Sequence, residues 1–286
     1  MSEYKHFLIT RFNLKKKGWE TTKNNEKIQT EEWLRHRFEL FELYCLPSVI
    51  NQSNQDFIWY VFFDISTPEL YRKKVDAIAE NYQNFRPFYI DGREGLEESV
   101  MQEMKKDIKK EEFVITSRLD NDDIIHKDFI QSIQKSFQPV SNTVIDLREG
   151  YQLILDKNRN EIREYIHPFN QFVSLIEKSR NFRTVLDQMH YSWVTSDNIV
   201  VYDKKRLWIE IVHQKNKANA TKYNMPKAYG LEYKEFQLRE NDFKLENRAI
   251  IALSNMILSI KLSAIKLLRS NQQIEAFAKK IKGLMS

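Results

Sequence analysis

The chain has 286 residues and carries 45 basic against 40 acidic side chains, a formal net charge of +5. With 42% apolar and 30% charged residues it is a globular sequence long enough for a full α/β core, which excludes the disordered and fibrous classes. The small, dispersed basic excess suits an anionic ligand or an acidic membrane surface rather than nucleic acid, and the single cysteine, Cys45, excludes a disulfide framework or a thiolate zinc site.

Residues 1–12 lack the apolar stretch of a secretory signal, so a reducing, cytoplasmic location is the expectation. Phe7, Leu8 and Ile9 open a first strand that ends at Thr10, Arg11 and Phe12. A loop rich in Lys and Asn covers 14–27. Thr30 then caps a helix whose first turn carries Glu31 and Glu32, favourable against the helix dipole. Leu34, Phe38, Phe41, Cys45 and Val49 recur at helical spacing, and Pro47 is expected to kink or end that helix. Residues 57–63 (FIWYVFF) form a continuous apolar run closed by Asp64, the pattern of a buried parallel strand. Ser66 and Glu69 read as a capping box around Pro68, opening a helix to about residue 82. A strand ending at Asp91 and Gly92, a helix over 96–109 and a strand over 113–117 follow. Successive strand–helix–strand crossovers predict a doubly wound α/β sheet, in which ligands sit beyond the carboxyl ends of the strands. Asp64, Asp91 and Asp120 all stand at or just after such ends.

Beyond residue 140 the pattern changes to short strands at 142–146, 151–155 and 161–166, a helix over 182–193, and strands at 199–202 and 207–212. A long helical segment from about 242 to 268 carries Ile250, Ile257, Ile260, Ala264 and Leu268. The expected organisation is an α/β unit over 1–240, its two halves sharing one core, with a C-terminal helical extension over 241–286. Ser254, Asn255, Lys261 and Lys266 interrupt the apolar run 249–268, which favours packing on the domain or a partner over a spanning helix. A peripheral contact with the inner face of a membrane is the alternative.

The stretch Arg118-Leu119-Asp120-Asn121-Asp122-Asp123 carries the most chemical information. Carboxylates this close repel one another unless a cation balances them, and Mg²⁺ or Mn²⁺ takes oxygen ligands while sharing its shell with substrate phosphates. An isolated Asp-x-Asp is more often a polar turn, here with Asp122 or Asp123 capping a helix over 124–137. Its place after a buried strand of a doubly wound sheet favours the metal.

Leu46-Pro47-Ser48-Val49-Ile50-Asn51-Gln52, followed by Asp56-Phe57 and Asp64-Ile65-Ser66, resembles the opening of family-2-type glycosyltransferases of the GT-A fold. Residues 117–123 stand where that fold keeps its metal-binding Asp-x-Asp. With Arg11-Phe12, Trp33-Leu34-x-x-Arg37, and Trp208 followed by His213, the set is most similar to the rhamnosyltransferase family of bacteria. The similarity is good over 5–135, patchy to 219 and absent beyond. It implies a mixed, doubly wound GT-A-like sheet and a nucleotide-sugar donor, with dTDP-rhamnose among the candidates. It places Thr10, Arg11 and Asp64 at the nucleotide and brings Gly92 and Gly95 close to the donor. Asp120 would reach ribose and metal, Asp122 would be the main metal ligand, His213 a late ligand to the same Mn²⁺ or Mg²⁺, and Arg118 a phosphate contact. Each also has a structural reading: Asp64 as the cap of the next turn, Arg118 as the partner of the Asp cluster, the glycines as turn residues, His213 as a hydrogen-bonded strand end.

An inverting transferase also needs a base for the acceptor hydroxyl. The Glu-Asp pair usual in family-2 enzymes is missing; Asp187 and His190, three apart and on one face of the expected helix, are the favoured candidates, with Asp197 the alternative. A retaining mechanism would need no such base. The acceptor expected is a glycan or a lipid-linked sugar. The rivals are a sugar nucleotidyltransferase, for which residues 14–18 make a poor phosphate loop, and a non-catalytic nucleotide-sugar-binding protein of the same fold.

Overall fold

The computed structural model describes residues 3–18, 21, 27–156, 160–213, 215–216, 219–243 and 245–284, with side chains for all but 241 and 269–284. Much of the loop expected at 14–27 lies outside these residues. The first half is built as the alternation predicts. β1 (Tyr4–Arg11), β2 (Ile58–Asp64), β3 (Phe85–Ile90) and β4 (Phe113–Arg118) run parallel, connected through α1 (Glu31–Leu40), α2 (Leu46–Ile50), α3 (Glu69–Asn81) and α4 (Leu96–Asp107). Strand side chains alternate between faces. Leu8, Trp59, Val61 and Phe63 therefore pack with Trp33, Leu34, Phe38, Tyr71 and Val75 on one side. Phe7, Ile9, Tyr60 and Phe62 pack with Leu96, Val100 and Met104 of α4 on the other.

Thr30 caps α1, its hydroxyl accepting from the Trp33 N–H at 3.2 Å. The break expected at Pro47 takes the form of a π turn, Phe41–Cys45, after which α2 restarts with proline in its first turn, where a missing N–H costs nothing. The capping box at Ser66 does not form. Ser66 hydrogen-bonds Asp64, and α3 starts behind Pro68 with no side-chain cap.

The main sheet has seven strands in the order β10-β6-β9-β4-β1-β2-β3, completed by β6 (Thr143–Leu147), β9 (Ser174–Lys178) and β10 (Asn198–Tyr202). β9 runs antiparallel between β4 and β6 and has no counterpart among the strands expected from sequence. β1 lies between β2 and β4, so the order reverses at β1/β4 and a crevice opens beyond their carboxyl ends.

A second sheet, β5-β11-β7-β8, is formed by β5 (Ile124–Ile125), β11 (Trp208–Val212), β7 (Glu149–Ile154) and β8 (Glu161–Ile166). It corrects the helix expected over 124–137. Ile124 and Ile125 pair with β11 instead, and α5 begins only at Phe129 (Phe129–Lys135). The helix expected over 182–193 is also absent. Thr116 and Thr184 hydroxyls accept from the N–H groups of Val185 and Leu186, at 2.9 and 3.2 Å, drawing the backbone away from helical pairing. Turns and a short 3₁₀ segment, His190–Thr195, occupy the region. The extension is α6 (Arg248–Leu284).

Candidate active site

The crevice at the β1/β4 switch point holds a cavity of about 540 Å³. Arg11 ends β1 and Arg118 ends β4, where Arg118 is in register with Ile9. Both guanidiniums reach Asp120, Arg11 at 3.1 Å and Arg118 at 3.4 Å, on the same oxygen Oδ1. Burial alone would raise the Asp120 carboxyl; Arg118 and Arg11 outweigh it and hold the group well below the ordinary carboxylate range. Arg93, in the turn before α4, lines the same cavity, and burial with Arg11 and Arg118 nearby brings its guanidinium down to about 10. Lys16, Arg37 and Lys215 also face the space. It is therefore a cationic chamber with Phe12, Leu14, Ile28 and Trp33 as its apolar walls.

Asp122 lines the same cavity but through a different set of partners. Its Oδ2 lies 2.6 Å from Arg37 Nη1, 3.0 Å from His213 Nε2 and 3.2 Å from Asn216 Nδ2. Burial opposes ionisation, yet Arg37 and His213 bring the Asp122 carboxyl below its usual value. Asp123 goes the other way. Burial and the neighbouring Asp122 and Asp120 push it well up, and its Oδ1 accepts from the Ile211 N–H at 2.9 Å instead of capping a helix. Among the described residues, Asp120, Asp122 and His213 do not converge as three ligands around one point. The three-residue cluster of ligand type is His126, Asp128 and Glu235, away from this cavity. Asp122 and His213 do fit one cation as a pair. Their 3.0 Å separation is that of neighbouring ligands at bonds of about 2.1 Å. Arg37 holds the same oxygen, so a cation here takes the place of that guanidinium.

The remaining expected residues divide between cavity and scaffold. Asp187 and His190 line the cavity, not on a common helix but on the turn-rich segment. Asp187 pairs with Arg183 at 3.3 Å. The His190 Nδ1 lies 2.6 Å from the Phe169 carbonyl, which fixes the proton there and leaves Nε2 with the lone pair. Burial first, then Arg118 and Arg11, lower the His190 pKa below the usual imidazole value. Asp197 is exposed beside β10, within 3.2 Å of Asn142 Nδ2, and does not line the cavity.

Thr10 is buried, accepting from Trp59 Nε1 at 2.9 Å. Asp64 is also buried outside the cavity lining. It accepts from the N–H groups of Lys15 and Gly92, each at 3.3 Å, and from Ser66, tying together the loops after β1, β2 and β3. Gly92 has φ +66°, and an added Cβ would lie 3.1 Å from Glu94 and 3.4 Å from the Lys15 carbonyl. Gly95 precedes α4 in open space. Arg37, Arg93 and Asn216 carry no role in the reading of the sequence alone. Arg93 could have been flagged as the one cation between the two glycines of the strand-end loop.

The sequence matches the family model described as "Putative rhamnosyl transferase" over residues 5–225. The chain belongs to this family. No curated protein matches. Among solved structures, the chain is similar to S. aureus TarS 1-349 in complex with UDP-GlcNAc, at 12% identity and TM-score 0.45, over 74% of this chain and 60% of that one. A structure from Desulfovibrio desulfuricans G20, described as a "putative nucleotide-diphospho-sugar transferase", aligns at 9% identity and TM-score 0.36, over 76% and 84% of the two chains. The inositol-1-phosphate CTP transferase from T. maritima aligns at 14% and 0.33, over 76% and 91%.

Proposed function

We propose that this protein is a glycosyltransferase that takes a hexosyl group, rhamnose first among candidates, from a nucleotide diphosphate sugar and passes it to a glycan or lipid-linked acceptor. The observation that carries this reading is the meeting of Arg11, Arg93, Arg118 and Asp120 in one cavity at the switch point of the sheet. Guanidiniums match phosphate oxygens in pairs, and the low-dielectric crevice strengthens each contact. Asp120, kept ionised by two arginines, is placed to accept from ribose hydroxyls. Phe12, Leu14 and Trp33 offer apolar surface to base or sugar.

Asp122 and His213 are the residues that would hold Mn²⁺ or Mg²⁺ against the diphosphate. Such an ion, when bound, offsets the negative charge that grows on the departing nucleotide. In an inverting reaction the acceptor oxygen bonds to the anomeric carbon as the bond from that carbon to the diphosphate breaks. The acceptor proton passes to a base, and His190 Nε2 is the group whose tautomer suits this role, ahead of the ion-paired Asp187.

Calorimetric titration with UDP and dTDP, with and without Mn²⁺, tests the reading. At least one nucleotide should bind, Arg118→Ala should weaken it about tenfold or more, and Asp122→Asn should abolish the gain from Mn²⁺. Absence of binding by both nucleotides in either condition would reject a nucleotide-sugar site. Binding that is indifferent to Mn²⁺ would remove the metal and leave the arginines to balance the charge.

A further inference from the structure

α6 is 37 residues long, and its first turns meet the domain along one side only. Ile251 is 3% exposed, and the Asn255 side chain clasps the backbone of Lys227, accepting from its N–H and donating to its carbonyl, each at 2.8 Å. The opposite side is open. Ile250, Leu253, Ile257, Ile260 and Leu267 are 48–63% exposed, with Ala264 among them. Their spacing is three, four, three, four, three, the a and d positions of a heptad. The same spacing continues through Asn271, Ile274, Ala278 and Ile281, so the seam spans ten consecutive a and d positions.

Period and area both point to a second helix. The side of a straight helix turned to a flat surface drifts about 20° per heptad from a strict seven-residue repeat, so a stripe that keeps the repeat over four heptads, apolar at every a and d position but Asn271, matches a supercoiled partner. Arg248–Leu268, with a mean hydropathy of 1.6, is long and apolar enough by itself to cross a membrane, but the three-four spacing runs on past Lys261, Lys266, Arg269 and Asn271, which a bilayer does not require. Met256 and Leu268 flank the seam, 54% and 63% exposed, while Leu262 and Ile265 lie off it and are less exposed, at 42% and 36%. Seven large side chains, each with on the order of 100 Å² still open, amount to roughly 700 Å² per chain before residues past 268 are considered. That approaches the about 800 Å² per partner of a stable interface.

We propose that α6 forms a parallel, two-stranded coiled coil with a second copy of this chain. Isoleucine holds a positions 250 and 257 and also d positions 260, 274 and 281, with leucine at d positions 253 and 267, so it is the single Asn271 at an a position of the sequence repeat that selects register and the two-stranded state. The g positions are Met256, Ser263, Ser270 and Phe277, so no like-charged g–e pair opposes this arrangement.

Sedimentation of the full chain at micromolar concentration should give twice 34.4 kDa. The double variant Ile257→Glu/Ile260→Glu changes only exposed positions and should dissociate at least tenfold more readily, with its melting cooperative. Asn271→Cys, under mild oxidation, should yield a disulfide-linked dimer, since Cys45 is buried. A monomer at all concentrations overturns the proposal. So does a dimer that persists in the double variant, or a monomer that floats with phosphatidylglycerol vesicles through the same residues.

Discussion

A histidine can serve as a base only while neutral, and two features of His190 keep it so. Its Nδ1 proton is engaged by the Phe169 carbonyl, and burial with nearby Arg118 and Arg11 disfavours a second proton. Its folded pKa lies below the ordinary 6.5, so transfer should persist as pH falls through 6.5 and decline only as Nε2 is protonated below it. His190→Asn should cut the transfer rate by roughly 10²-fold or more and remove that acid limb, with donor affinity nearly unchanged. Asp187→Asn should do much less, because Asp187 already serves Arg183. The opposite outcome in a pH series of both variants would move the role to Asp187. At this scale the sequence revealed the charged residues that follow strands, Arg11, Arg118 and Asp120, because a strand end followed by acidic residues is a local pattern. Arg37, four residues into a turn of α1 from Trp33, reaches Asp122 only through the tertiary fold, and spacing alone carries no trace of an 85-residue separation in sequence.

Elements with a strong period and no competing partner were legible: β1 to β4 and the helices between them. The two expected helices that failed, 124–137 and 182–193, each lost backbone to a distant group. Thr116 captures residue 185, and β11 captures residues 124 and 125 before a helix can start. Gly150 shows the same dependence on tertiary packing. It sits in β7 beneath Trp208, and an added Cβ would stand 2.1 Å from the indole ring. That indole donates to the Leu147 carbonyl at 2.7 Å and stacks on Phe172 at 4.8 Å, so it has no room to yield. Gly150→Ala should therefore cost about 1–3 kcal/mol, lowering the melting temperature by several degrees, on the order of 2–4 °C per kcal/mol for a domain of this size. A variant that melts with the parent would show that the second sheet shifts freely around Trp208. Because this sheet delivers His213 at the end of β11, such freedom would also loosen the pairing with Asp122.

On the scale of the whole molecule, the boundary expected near residue 240 cuts through packed structure. Phe243 is 7% exposed in the cluster that contains Ile124, Leu153 and Ile211, which backs the Asp-x-Asp turn. Lys227 pairs with Glu246 at 2.6 Å, and Ile251 and Asn255 fasten the start of α6 to the same region. The first turns of α6 thus belong to the α/β unit, and only the helix beyond them is an extension. Two truncations separate these parts. One ending at residue 259 keeps Phe243, Ile251 and the Asn255 clasp; one ending at residue 242 loses all three. Each retains fewer than two heptads of the seam, so neither gains stability from pairing, and the comparison isolates the docked turns. Burial of a Phe and an Ile contributes about 1.5–3 kcal/mol each, so the 1–242 chain should be less stable by several kcal/mol in urea melts. It should also bind nucleotide more weakly, since the cluster behind Asp122 and Asp123 is stripped. Equal stability of the two truncations would mean that α6 rests on the domain without supporting it, and would return the boundary to residue 240.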